Sequence, residues 1–159
     1  NVGSAFERPV LYPGTFRAWF QTKHATGAFG TRLIVDEVNR IRAEKCDPAI
    51  VENAKASFIG SLVNPFASKS MMVNTFADDL YTGRPNSYWQ DYTKNMQAVT
   101  PEDVLAAAQK YLHPDKLVFL IIGDPDALEA GSDKHPEKIS DFGPVTILPL
   151  RDPMTLEAK

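Results

Sequence analysis

The chain has 159 residues, with 17 Lys and Arg against 20 Asp and Glu for a formal net charge of -3, and it is 43% hydrophobic and 23% charged. That is about one domain's worth of chain, enough to bury a core; the balance excludes a disordered acidic tail or polybasic arm and lacks the basic field a nucleic-acid binder needs. The longest apolar run, Leu117 to Ile122, has six residues where a bilayer span needs about 20, and the single Cys46 cannot close an intramolecular disulfide.

The opening Asn1-Val2-Gly3-Ser4 has neither an initiator Met nor a signal segment, so the chain is expected to be a piece of a longer translation product. Up to Gly14, Pro9, Pro13, two glycines and no sustained period predict an extended lead-in or loop. Thr15 to Thr22 then alternates, with Phe16, Ala18 and Phe20 on one face and Arg17, Trp19 and Gln21 on the other, which predicts a half-buried strand. From about Ala25 the period becomes helical. Ile34, Val38 and Ile41 fall at i, i+4 and i+7, with Leu33 widening the stripe. Asp47-Pro48 starts a second helix, because Asp accepts the free N–H groups of a first turn and Pro lacks only an N–H that would be orphaned there. Its buried stripe is Val51, Ala54, Phe58 and Leu62, and Pro65 breaks it.

A third helix over about 66–81 presents Met72, Phe76 and Leu80, with Gly83 as its left-handed cap. The fourth begins near Asn86 and stacks Tyr88, Tyr92 and Met96. Thr100-Pro101-Glu102-Asp103 joins a Thr cap, a first-position Pro and two first-turn acids, and starts a fifth helix running to about Leu112. That helix buries Val104, Leu105, Ala108 and Leu112, and His113-Pro114-Asp115 ends it. Leu117 to Ile122, apolar without alternation, predicts a strand covered on both faces or nearly so. Residues 127–140 predict a short helix and a loop, and 145–150 a final edge strand, since Pro144 and Pro149 suit only edges or ends. Two or three strands against five helices is an imbalance: so small a sheet cannot cover that much apolar helical surface, and strands from outside this segment are expected.

Chemistry-bearing residues are sparse. A helical zinc site needs two His within one or two turns, and His24, His113 and His135 are 89 and 22 positions apart. Cys46 lies between Lys45 and Asp47 with no His placed near it by any motif. No G-x-S-x-G elbow and no phosphate-cradling glycine loop occurs. The neighbours Asp78 and Asp79 diverge by about 100 degrees on a helix and so do not share a site; Asp124 and Asp126 sit in a turn, where Asp serves the backbone. The aromatic group Tyr81, Tyr88, Trp89 and Tyr92 is of the kind that lines a peptide or sugar groove; the helical core accounts for Tyr88 and Tyr92, while Trp89 falls on another face and stays open as a contact residue.

Several blocks carry a family resemblance. Ile41 to Lys55, with Cys46-Asp47-Pro48 at its centre, resembles the helix pair of the insulinase/pitrilysin-like zinc peptidases, the group that includes mitochondrial processing peptidase. Ala77-Asp78-Asp79-Leu80-Tyr81-Thr82-Gly83-Arg84-Pro85 is similar to the turn before the family's next helix. Val99-Thr100-Pro101-Glu102-Asp103-Val104, then Ala108 to Pro114 and Ile122-Gly123-Asp124, resemble its closing blocks, so the likeness covers about residues 15–124 in register.

The resemblance implies one α+β domain over 1–159, partial at its N-terminus, with helices packed on one face of a mostly antiparallel sheet as half of a clamshell. It also implies a division of labour. One half carries H-x-x-E-H and the zinc; this chain has no such motif and is similar to the zinc-free half, with no catalytic or metal-ligating residue of its own. Its expected partners are a zinc-bearing domain or subunit and an extended peptide, and its substrate-contact candidates are Arg17, Trp19 and Trp89. The Arg and Tyr with which the family's inert half reaches toward substrate would lie upstream of Asn1. Bacterial relatives of this type are often exported, so periplasm is the compartment the resemblance suggests. A purely structural subunit of the core-protein kind and a free-standing peptide-binding module remain open as alternatives.

Overall fold

The computed structural model describes residues 1–7, 12–85 and 87–157. At the N-terminus β1 (Val2–Phe6) pairs with β2 (Phe16–Phe20). The backbone bond from Gln21 N–H to Asn1 O, 2.9 Å, sets the register and brings Gly3 opposite Trp19. A Cβ at Gly3 would lie 2.5 Å from Trp19 Cζ2, so the indole occupies the space a side chain would need. Phe20 faces the other way, onto Gly30, where a Cβ would lie 2.4 Å from its ring. The alternation predicted for the strand holds at Trp19 and Phe20, whereas Ala18 on the expected buried face is exposed; β1 forms where a lead-in or loop was expected because β2 supplies its hydrogen-bond partners.

The remaining regular structure is helical: α1 (Gly27–Ala43), α2 (Pro48–Gly60), α3 (Lys69–Thr82), α4 (Tyr88–Ala98), α5 (Pro101–Tyr111) and α6 (Pro125–Ala130), joined in part by 3-10 turns. Their ends are fixed by local chemistry. Asp47 Oδ1 accepts from Ala49 N–H at 2.8 Å, Ser68 Oγ from Met71 N–H at 3.2 Å, and Asp124 Oδ1 from Asp126 N–H at 3.0 Å, each satisfying a first-turn donor. Thr100 and Asp103 form a reciprocal capping box, with Pro101 in the first helical position. Pro65 sits inside the 3-10 turn Ser61–Phe66, and α2 ends five residues before it. The fourth helix starts at Tyr88; its expected start at Asn86 lies outside the described residues.

The expected architecture of helices on one face of an antiparallel sheet is overturned. Among the described residues six helices accompany a two-stranded hairpin, and no strand forms over 117–122 or 145–150. A helix satisfies its backbone within itself, whereas a strand needs a neighbour, and among the described residues neither segment has one. Nor is 117–122 covered on both faces: Val118, Leu120 and Ile122 are 92%, 82% and 92% exposed, against 39% for Phe119 and Ile121. A two-residue period survives there without a sheet. The predicted helical stripes are likewise only partly buried. Val38, Val51, Ala108 and Leu112 are buried, but Phe58, Met72, Phe76 and Leu80 are exposed because nothing described covers that side of α2 and α3.

The chain divides into two compact units. In the first, built from Asn1–Ala5, Phe16–Glu37 and the segment from Lys116 onward, Ala28, Thr31 and Leu128 are buried. Leu128 lies against Gly27, where a Cβ would be 2.3 Å from its Cδ2, and Phe29 stacks on His135 at 3.9 Å. In the second, built from Phe6–Thr15 and Val38–Asp115, Arg42 donates to Leu112 O at 2.7 Å while Gln109 Nε2 donates to Arg42 O at 3.0 Å. This exchange ties α1 to α5 and satisfies carbonyls at both C-terminal ends. No helix among the described residues is long and apolar enough to cross a membrane.

Two outcomes are expected. The backbone N–H of Thr100, helped by its hydroxyl, holds Asp103 below its ordinary carboxyl value of 3.8. A lowered folded-state value stabilises the fold above the unfolded value and loses that contribution as pH falls through the folded one. Urea midpoints of the wild type and Asp103→Asn should therefore differ at neutral pH and converge in acid; a gap that persists in acid refutes the capping account. Separately, Leu120→Lys should reduce light scattering on heating with little change in the urea midpoint, since that apolar side chain is in water. A loss of more than about 1 kcal/mol of unfolding free energy would show that Leu120 is buried after all.

Candidate functional site

The three contact candidates fall in different places. Arg17 and Trp19 lie two apart on β2, both exposed, with Trp19 spread over Gly3. Trp89 belongs to the other unit and lines a cavity there. The structure therefore groups Arg17 with Trp19 and gives Trp89 a different set of neighbours.

That cavity is built from a helix end. α3 stops at Gly83, whose φ of 66° is left-handed backbone that a glycine adopts without a Cβ clash. Gly83 N–H donates to Leu80 O at 3.3 Å and Arg84 N–H to Asp79 O at 2.9 Å, the paired bonds of a Schellman end. The chain's return carries the Arg84 guanidinium onto the same residue, with Nη1 to Asp79 Oδ1 at 2.8 Å. Trp89 Nε1, at the start of α4, donates to the other carboxylate oxygen. Asp79 and Arg84 side chains are 13% and 27% exposed, so the pair is largely out of water.

Aromatic rings surround this polar centre. Arg84 lies 4.8 Å over Tyr88 and 5.9 Å from the Trp89 ring, both within cation–π reach. Trp89 meets Tyr92 at 5.9 Å, Tyr88 edge-on at 4.9 Å and Phe66 edge-on at 5.2 Å. Together with Phe58, Ser61, Leu62 and Pro65, the Tyr88, Trp89, Tyr92 and Arg84 side chains line an open pocket of about 240 Å³. Tyr88 and Tyr92 are thus not simply helix core with Trp89 on a separate face; all three open on one space.

A second cavity, of about 430 Å³, lies within the first unit between β2 and α1. Phe20, Phe29, Leu33 and Ile34 make it mainly apolar, Thr22 and Thr26 share a 2.7 Å hydroxyl hydrogen bond at its edge, and His135 joins the lining. One imidazole, with no carboxylate, thiol or second imidazole in the wall, provides neither a nucleophile pair nor a metal site. Of the other histidines, His24 rests against Gly123 and His113 is exposed after α5. Among the described residues no three His, Cys, Asp or Glu side chains converge as metal ligands.

No known protein family, curated protein or solved structure matches the chain.

No motif in the sequence marks Asp79 or Arg84 as functional residues. Asp79 stands there only as the neighbour of Asp78, and the signal that joins it to Arg84 is the intervening Gly83: a left-handed end folds the next residue back onto the one five before it. Removing Arg84 should leave a partly buried carboxylate with one donor fewer. Asp79→Ala and Arg84→Ala are each expected to cost roughly 1–3 kcal/mol. In a double-mutant cycle by urea unfolding, the two should couple by at least about 0.5 kcal/mol. Additive effects would mean that the ion pair does not hold this corner together.

Proposed function

We propose that the chain is the non-catalytic half of a zinc metalloendopeptidase, holding an extended peptide for a partner domain or subunit that bears the H-x-x-E-H site. The observation that carries this reading is the coincidence of a resemblance block with a cavity wall. Ala77 to Pro85, one of the blocks that resemble the insulinase/pitrilysin-like peptidases, contains Asp79, Gly83 and Arg84, and these residues set the position of Trp89. A neutral, aromatic space of about 240 Å³ suits one anchoring side chain rather than a whole small-molecule ligand, which takes about 300–1,000 Å³.

In this division of labour the zinc belongs to the partner, where it would activate the water that attacks the scissile carbonyl. This chain's residues bind and orient. Tyr88, Trp89 and Tyr92 offer rigid apolar contact at small cost in side-chain entropy, which favours anchoring a flexible peptide. β2, with Arg17 and Trp19 on its exposed face, supplies a further extended surface within its own unit.

The test is reconstitution. The chain alone should leave a fluorogenic peptide uncut and retain no stoichiometric zinc after dialysis. Co-expressed with an H-x-x-E-H subunit from the same organism, it should raise that subunit's peptide hydrolysis at least about tenfold, in a manner abolished by EDTA. Chelator-insensitive cleavage by the chain alone, or no effect on the zinc subunit, would sink the reading.

A further inference from the structure

We infer that the Tyr88–Trp89–Tyr92 cavity is a recognition site for a proline-containing segment in the polyproline II conformation. The inference names the peptide class behind the proposed peptide-holding role and rests on that reading for its biological sense, though not for its chemistry.

Four observations converge on proline. First, charge is matched inside the wall. Asp79 already neutralises Arg84 at 2.8 Å, so an ionised guest would give up its hydration without gaining a counter-ion, and Asp, Glu, Lys and Arg anchors are disfavoured. Second, the wall is made of ring faces and edges: Trp89 against Tyr92 at 5.9 Å, Tyr88 edge-on to Trp89, and Pro65 beside them. Aromatic-lined grooves of this kind take the flat, preformed surface of a proline-rich chain, which loses little entropy on docking.

Third, the polar groups on the aromatic side of the cavity can donate, whereas Ser61 Oγ, its proton committed to Ser57 O at 2.8 Å, is left as an acceptor at the opposite wall. A guanidinium carries five N–H groups and accepts nothing; among the described residues Arg84 commits only Nη1, to Asp79. The hydroxyls of Tyr88 and Tyr92 have no hydrogen-bond partner among the described residues, while the one indole N–H is already spent on Asp79. A proline segment is the complementary ligand, because it offers carbonyl acceptors and no backbone N–H that would be buried unpaired. Fourth, the size fits: about 240 Å³ is below the range of drug-sized ligand pockets and is suited to small rings rather than an extended apolar chain.

Fluorescence anisotropy with a short labelled polyproline peptide tests this on the whole chain, alongside a control peptide of equal length with one phenylalanine in an alanine–glycine background. The polyproline peptide should bind and the control should bind at least about tenfold more weakly. Trp89→Ala should weaken polyproline binding by about tenfold or more. Trp89 packs on three rings, so two milder variants guard against loss of folding, with circular dichroism as the check. Tyr92→Phe removes only a donor, and Arg84→Lys keeps the charge but not the fork; each should weaken binding several-fold. Polyproline binding unchanged in all three variants overturns the site. A preference for the phenylalanine peptide overturns the proline assignment and leaves the peptide-holding role standing. Absence of binding by either peptide overturns the site, and the reconstitution assay then judges the peptidase-half reading independently.

Discussion

Asp79 is on the unfavourable end of its helix. The last turn of α3 exposes carbonyl oxygens and the negative end of the helix dipole, so a carboxylate there, mostly out of water, is repelled unless donors surround it. Two donors do so, the Arg84 guanidinium on one oxygen and the Trp89 indole N–H on the other. Both depend on Gly83, because a residue with a Cβ resists the left-handed backbone that turns the chain back within one residue. Arg84 touches Asp79 twice, through its own N–H to the Asp79 carbonyl and through its side chain. The direction in which α4 leaves the turn, and with it the placing of Tyr88 and Tyr92, follows from satisfying that one carboxylate.

The same arrangement makes the neighbouring cavity neutral and rigid. An unpaired arginine among three aromatic rings would attract acidic groups; paired with Asp79, it contributes cation–π contact and spare N–H donors without a net charge. The carboxylate fixes the indole edge while Phe66 and Tyr92 pack against the ring. Trp89 is therefore held in one orientation.

What was legible in the sequence is what chain neighbours decide. Asp47-Pro48, Thr100-Pro101 and Gly83 mark helix ends because the donors and acceptors concerned lie within a few residues, and the helix ends fall there. Strands were less legible for the same reason reversed. Leu117 to Ile122 has strand composition, but a ladder is a property of two segments, and composition reports on one. The sequence does not announce β1, because its residues have no period of their own and become a strand through β2. At the site, Trp89 was legible as an aromatic off the Tyr88–Tyr92 line, whereas its tie to Asp79 was not, since a ten-residue separation crosses a turn whose geometry only Gly83 announces.

The blocks that carry the peptidase resemblance coincide with these helix ends, so what they specify is the order and length of helices more than any sheet. Those helices are amphipathic beyond what their present surroundings use. Among the described residues only six apolar side chains are buried, in a chain that is 43% hydrophobic, while Met72, Phe76 and Leu80 share one exposed line along α3. In the other unit Val118, Leu120 and Ile122 are exposed on one side of an unpaired extended segment. Each is a surface whose period is written into the sequence, and periodicity of that kind is costly in water unless something covers it. A helix stripe asks for a packed layer and an extended apolar segment asks for a neighbouring strand. Both demands are of the kind that the proposed role as one half of a two-part assembly would meet.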